Sequence, residues 1–126
     1  MKPLKSDQFE YEYNTWKRNL EFFKQENALL KYRLSEMVDD NEGDDFLQLA
    51  EYFHNKLLLK DEMLKNLFED LQELYGLLGG FESKKVISEK IIIYHERMRK
   101  DILQFEKRFL TLSNEFNEKM LKSSES

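Results

Sequence analysis

The sequence predicts an all-α protein, an up-down-up antiparallel bundle of three long helices at about residues 7–38, 45–79 and 83–121. Three observations carry this prediction. The 126 residues include only 1 Pro and 4 Gly, so few positions interrupt a helix. Apolar residues recur at alternating steps of four and three along three segments, which places them on one helix face. Turn-forming residues separate the segments. We call each alternating series the seam of its helix.

The first helix has the most regular seam. Asp7 followed by Glu10 resembles a capping box, which predicts the start of the helix. The segment 39–45 contains turn formers and no apolar residue, which predicts its end. The seam residues are Phe9, Tyr13, Trp16, Leu20, Phe23, Asn27, Leu30, Leu34 and Met37.

The second helix has one charged residue, Lys60, in an otherwise apolar seam. Asp45 and Gln48 repeat the capping pattern and predict its start, while Gly79 and Gly80 tolerate the left-handed conformation that ends many helices. Its seam residues are Phe46, Ala50, Phe53, Leu57, Lys60, Leu64, Leu67, Leu71, Leu74 and Leu78.

The third helix has an irregular seam. Ser83 is its predicted N-cap. The steps from Tyr94 to Met98 and from Met98 to Ile102 are both four, which predicts a stutter that locally unwinds a left-handed supercoil. The seam residues are Ile87, Ile91, Tyr94, Met98, Ile102, Phe105, Phe109, Leu112, Phe116 and Met120.

The chain is short enough for one core, so we expect residues 1–126 to form a single helical-bundle domain with frayed termini at 1–6 and 122–126. Three long helices with a tryptophan, Trp16, in the first resemble spectrin-type repeats. That resemblance implies a long, coiled-coil-like architecture and carries no function.

Composition excludes several function classes. The net charge is −5, and acidic and basic residues are interspersed, which weighs against nucleic-acid binding. No segment approaches the roughly 18 uninterrupted apolar residues of a membrane span. The absence of cysteine excludes disulfides and thiolate chemistry, and it suits a reducing compartment. We therefore expect a cytoplasmic protein that contacts neither membranes nor nucleic acids.

The irregularities of the three seams predict a polar layer in the middle of the bundle. Reflecting the helices about their connections places Asn27, Lys60 and the stutter at similar heights. We expect Lys60 to meet Asp101 and Asn27 there. Such a layer is either a ligand or switch site, or a structural device that fixes the register of the helices. A lysine whose stem packs while its ammonium reaches solvent is a further interpretation.

No motif indicates catalysis or a cofactor. Glu51 and His54 have the Glu-x-x-His spacing of di-metal bundles, but His95 lacks a glutamate three residues before it. The predicted register separates the two histidines by roughly 20 Å, so we expect no metal site. No phosphate-binding loop or nucleophile motif is present, and we expect neither enzymatic activity nor a cofactor.

Apolar residues outside the seams predict a surface for self-association. They occur in pairs seven residues apart, on which a homodimer or a protein partner could pack. These residues are Phe22, Leu29, Tyr52, Leu59, Phe68 and Tyr75, and Ile93, Leu103, Leu110 and Leu121 extend the excess to the third helix. We therefore expect a structural or interaction bundle. The alternative is a small ligand-binding or sensing bundle, in which the layer around Lys60 captures an anionic molecule.

Overall fold

The computed structural model describes residues 6–78 and 89–125. These residues form three helices and no strand: α1 at Ser6–Asp40, α2 at Asp44–Leu77 and α3 at Glu89–Glu125. Each helix packs against the other two, which confirms the predicted all-α three-helix bundle. Gly79, Gly80, Ser83 and Ile87, to which the sequence assigns the end of the second helix and the start of the third, lie outside the described residues.

Residues 41–43 connect α1 to α2. The side chain of Asn41 donates a hydrogen bond to the carbonyl of Met37 at 2.7 Å, which caps the end of α1. Gly43 is the N-cap of α2 in an extended conformation, and its carbonyl accepts from the N–H of Leu47 at 2.9 Å. The predicted capping role of Asp45 is therefore wrong. Because the chain enters α2 at Gly43, Asp45 falls in the first turn, where its carboxylate complements the helix dipole.

Side-chain contacts show that α1 and α2 are antiparallel. The ring of Tyr13 stacks on that of Tyr75, with centroids 4.8 Å apart, and further along α1 Asn27 binds Asp61. Moving 14 residues toward the C-terminus of α1 thus corresponds to moving 14 residues toward the N-terminus of α2.

The first and third helices are parallel. Arg99 binds Glu12, and seven residues further along both helices Asn19 approaches Glu106. The order is therefore up-down-up, as predicted, and α2 lies antiparallel to both neighbours.

The core runs along the centre of the bundle. All predicted seam residues of the first two helices are buried or half-buried, including Asn27 and Lys60. Phe53 of α2 meets Phe116 of α3 edge to face at 5.4 Å, and Phe23 of α1 meets Phe105 and Phe109 at 5.7 and 5.2 Å. Each fully buried Leu or Phe side chain contributes about 1.5–3 kcal/mol of transfer free energy to folding.

The last helix extends further than the sequence suggests. The sequence predicts that the third helix ends at about residue 121, whereas α3 ends at Glu125. Side-chain pairing continues into this region, where Lys122 lies 3.7 Å from Glu118 one turn earlier.

Candidate functional site

Asn27 anchors a buried polar cluster between α1 and α2. Its side chain is fully buried, and its amide donates to the carbonyl of Leu57 at 2.9 Å and to a carboxylate oxygen of Asp61 at 2.7 Å. The other carboxylate oxygen of Asp61 pairs with the ammonium of Lys31 at 2.5 Å. The cluster therefore joins a buried amide to a half-buried ion pair, and its charged members come from both helices.

The structure separates the predicted layer residues. Lys60 and Asp101 form no ion pair, and Asn27 contacts Asp61 instead of Lys60. The reason is rotational, because consecutive residues on a helix differ by about 100°. Asp61 faces α1, whereas Lys60 faces α3, where its ammonium lies 5.5 Å from the centroid of the Phe105 ring. The expected Lys60–Asp101 contact is thus replaced by a cation–π contact.

Asp101 lines a cavity in the α2/α3 groove. This cavity has a volume of about 220 Å³ and is also bordered by Asn66, Gln104 and Arg108. Asn27 and Asp101 therefore belong to different sides of the bundle, and no single polar layer crosses it through the three predicted residues.

The third seam passes through His95, which is 1% exposed. With His95 in place of Tyr94, the series Ile91, His95, Met98, Ile102 alternates by four and three without interruption. The stutter predicted from Tyr94 through Met98 to Ile102 is therefore wrong. A search for apolar residues selects Tyr94 for the seam, whereas the spacing of four and three selects His95. The spacing is therefore the signal in the sequence that identifies His95 as a core residue.

Two aromatic rings of α1 enclose the imidazole of His95. The ring centroids of Phe9 and Trp16 lie 4.1 and 4.8 Å from that of His95. Nε2 is 3.8 Å from a carboxylate oxygen of Glu12, beyond hydrogen-bond distance, and neither ring nitrogen has a hydrogen-bond partner among the described residues. Burial lowers the pKa of His95, opposed by the charge of Glu12 and reinforced by that of Arg99. The imidazole is consequently held in its neutral form near neutral pH.

An ion-pair network of Glu12, Arg99 and Glu96 lies beside the imidazole of His95. The guanidinium of Arg99 donates to both carboxylate oxygens of Glu12, at 2.8 and 2.9 Å, and to Glu96 at 2.6 Å. One guanidinium nitrogen makes both contacts with Glu12, and these hydrogen bonds are the main cause that raises the pKa of Arg99. The Glu12 carboxylate that faces His95 is therefore already paired with Arg99.

The second histidine lies elsewhere. His54 is exposed on α2, as is Glu51 one turn before it. Within residues 6–78 and 89–125, no group of three or more histidine, aspartate or glutamate side chains is arranged to hold a metal ion.

The predicted interface residues divide into two groups. Phe22, Leu29, Tyr52 and Leu59 are exposed, at 55%, 41%, 45% and 54%. Phe68 and Tyr75 are half-buried and belong to the margin of the core, where Phe68 packs on the buried cluster and Tyr75 stacks on Tyr13.

Leucines of α3 extend the exposed pair of α1. Leu103 and Leu110 are 50% and 56% exposed and lie on either side of Glu106, which approaches Asn19 at 3.5 Å. Phe22 lies one turn after Asn19, and Leu29 lies two turns after Phe22. Because α1 and α3 are parallel, these apolar side chains border the same junction. We call Phe22, Leu29, Leu103 and Leu110 the α1/α3 face.

No protein-family model, curated protein or solved structure matches the chain at a significant level. In the described part of the chain, none of the helices has a stretch of the length and apolarity required to cross a membrane.

Proposed function

We propose that the protein is a non-enzymatic interaction bundle, a coiled-coil-like rod that forms a symmetric homodimer through the α1/α3 face. The observation that carries this proposal is the exposure of four large apolar side chains along one helix junction. The absence of cysteine favours a cytoplasmic setting for it.

The arrangement of the α1/α3 face suits pairing with a second copy. Single exposed apolar residues are common, but a contiguous apolar group bordered by polar residues is typical of interfaces. Here the apolar side chains flank a polar contact between Asn19 and Glu106. A two-fold axis along this junction would bring each group of four against its equivalent and bury apolar surface at about 25 cal/mol per Å².

The test is the mass of the full chain in solution, by light scattering after size exclusion. We expect a species of twice the chain mass of 15.4 kDa at micromolar concentration. Leu110→Glu places a charge in the centre of the α1/α3 face and should convert the dimer to a monomer, since an unpaired charge resists burial.

Leu58→Glu is the matched control, because Leu58 is also exposed, at 43%, but lies on α2. This variant should remain dimeric. A wild-type chain that elutes as a monomer would contradict the proposal, and so would equal dissociation of both variants. Far-UV circular dichroism of each variant verifies that the helices are intact.

A further inference from the structure

A second surface carries an inference that does not depend on self-association. A cavity of about 330 Å³ lies in the groove between α2 and α3, on the side to which Lys60 points. Lys56 and Lys60 border it from α2, and Lys107 and Arg108 border it from α3. Four cationic side chains thus surround one concave space.

These four cations have no counterions in the described part of the chain. None of them forms an ion pair with a described residue. The one acidic residue at the cavity, Glu115, is already paired with Lys119 at 3.1 Å. The chain as a whole is acidic, with 25 Asp and Glu against 20 Lys and Arg, so the sign of the charge is reversed locally.

The charged form of Lys60 is disfavoured by this arrangement. The residue is half-buried, and its ammonium lies over the ring of Phe105. Burial lowers the pKa of Lys60, and the positive charges of Arg108 and Lys56 lower it further. A bound anion would offset these effects, because it would supply the missing opposite charge in a partly desolvated place.

The other large groove of the bundle is balanced in charge. A cavity of about 630 Å³ between α1 and α2 is bordered by three lysines and three carboxylates, which are Lys24, Lys31, Lys65, Glu21, Asp61 and Glu69. Further along the α2/α3 groove, Asp70 and Asp101 accompany Arg97. Among these cavities, which described residues line throughout, the excess of positive charge is therefore confined to the one around Lys60.

We propose that this cavity, the cationic groove, binds a compact polyphosphate group. A planar guanidinium such as that of Arg108 matches phosphate oxygens bidentately, and lysine ammonium groups add point charges around it. Four cations converging on a small volume suit a ligand with several negative charges close together. Thr111 at the same cavity donates its hydroxyl to the carbonyl of Lys107 at 3.0 Å, so the charged side chains are the donors that face the ligand.

The experiment is calorimetric titration of the full chain with sodium tripolyphosphate at constant ionic strength. The wild type should give a saturable one-site isotherm. Replacing two exposed lysines of the groove, Lys56→Gln with Lys107→Gln, should weaken binding by about tenfold or more, since two charge-assisted contacts are lost.

Lys24→Gln with Lys65→Gln is the matched control, because it changes the net charge equally in the balanced groove between α1 and α2. This control should bind tripolyphosphate as the wild type does. Absence of saturable binding by the wild type would overturn the proposal. Equal weakening in the two double variants would also overturn it, because binding would then follow net charge and not the groove.

Three further titrants distinguish the chemistry of the ligand. Citrate should bind weakly, and citrate binding as tight as tripolyphosphate would contradict a preference for phosphate. Adenosine triphosphate binding tighter than tripolyphosphate would identify a nucleotide as the source of the polyphosphate, whereas equal binding would indicate the phosphate chain alone. Adenosine without phosphate should not bind, and tight adenosine binding would contradict the proposal.

Lys60→Met provides a second, independent readout. It removes a half-buried cation and retains the apolar stem, so the melting temperature without ligand should rise. Tripolyphosphate should raise the melting temperature of the wild type but raise that of Lys60→Met much less. Equal stabilisation of the two proteins would show that Lys60 takes no part in binding.

Discussion

His95 couples folding to pH at the scale of a single residue. Its imidazole is enclosed by Phe9 and Trp16, and it faces Glu12, Arg99 and Glu96. The pKa in the folded protein is lowered, chiefly by burial, so between that value and about 6.5 the unfolded chain binds more protons than the folded chain. The unfolding free energy therefore rises with pH across this window and decreases as the solution is acidified.

We predict that His95→Leu removes this dependence. In the wild type, the urea midpoint should decrease between about pH 7 and about pH 5, whereas in the variant it should change much less. At about pH 7 the variant should also be more stable by about 1 kcal/mol, because a buried imidazole without hydrogen-bond partners is replaced by an apolar group. The measurement is urea denaturation followed by circular dichroism.

His54→Leu is the control for that experiment, because His54 is exposed on α2. This variant should retain the wild-type response to pH. If His95→Leu responds to pH as strongly as the wild type, the linkage arises from other groups and His95 is not its source.

The position of a residue along the bundle axis is predictable from the sequence, but the residue that it contacts is not always predictable. The seam correctly places Asn27 in the core, yet its partner is Asp61, the neighbour of the predicted Lys60. Spacing gives the height of each residue, whereas about 100° of rotation between consecutive residues decides which helix is contacted. His95 is the opposite case. Its spacing fits the seam, but a search for apolar residues omits it because histidine is polar.

At the scale of elements, the ends of α2 offer a test of backbone propensity. Gly76 lies within the last helical turn, and a Cβ added there would meet no atom within 4 Å. Gly76→Ala should therefore stabilise the protein by about 0.5–1 kcal/mol, since alanine loses less backbone entropy in a helix. The measurement is the shift in the urea midpoint.

Gly43→Ala is the companion variant, because a Cβ at Gly43 also has open space around it. Gly43 is an extended N-cap, at which glycine is preferred to alanine, so no gain is expected. Equal stabilisation by the two substitutions would show that glycine flexibility in the unfolded chain, and not helical propensity, is responsible.

The boundaries of the first two helices are predictable to within about two residues because turn formers and glycines mark them, whereas α3 ends four residues beyond the predicted 121. The sequence predicts that the first helix ends near residue 38, and α1 ends at Asp40. The role of Asp45 is less predictable. The Asp45 and Gln48 pattern predicts a cap at Asp45, but the N-cap is Gly43, which has no side chain to signal that role.

At the scale of the whole molecule, the three helices share one continuous core. Phe53 is fully buried and packs on Phe116 of α3, while its neighbour Tyr52 is 45% exposed. Phe53→Ala should lower the unfolding free energy by about 3–5 kcal/mol, because it leaves a cavity at the contact between helices. Tyr52→Ala should cost much less.

The same experiment tests whether the bundle unfolds as one unit. In denaturant, the helical signal of Phe53→Ala should disappear in a single transition at lower urea concentration than in the wild type. Two separated transitions would indicate that one helix detaches before the others and would contradict a single cooperative bundle.

The chain contains one tryptophan, and its indole lies against His95 with ring centroids 4.8 Å apart. An excited indole transfers an electron to a protonated imidazole much more readily than to a neutral one. We therefore expect the emission of Trp16 to be quenched when His95 acquires a proton. The intrinsic fluorescence of Trp16 should thus report the charge of the buried His95 side chain without a dye or a second label.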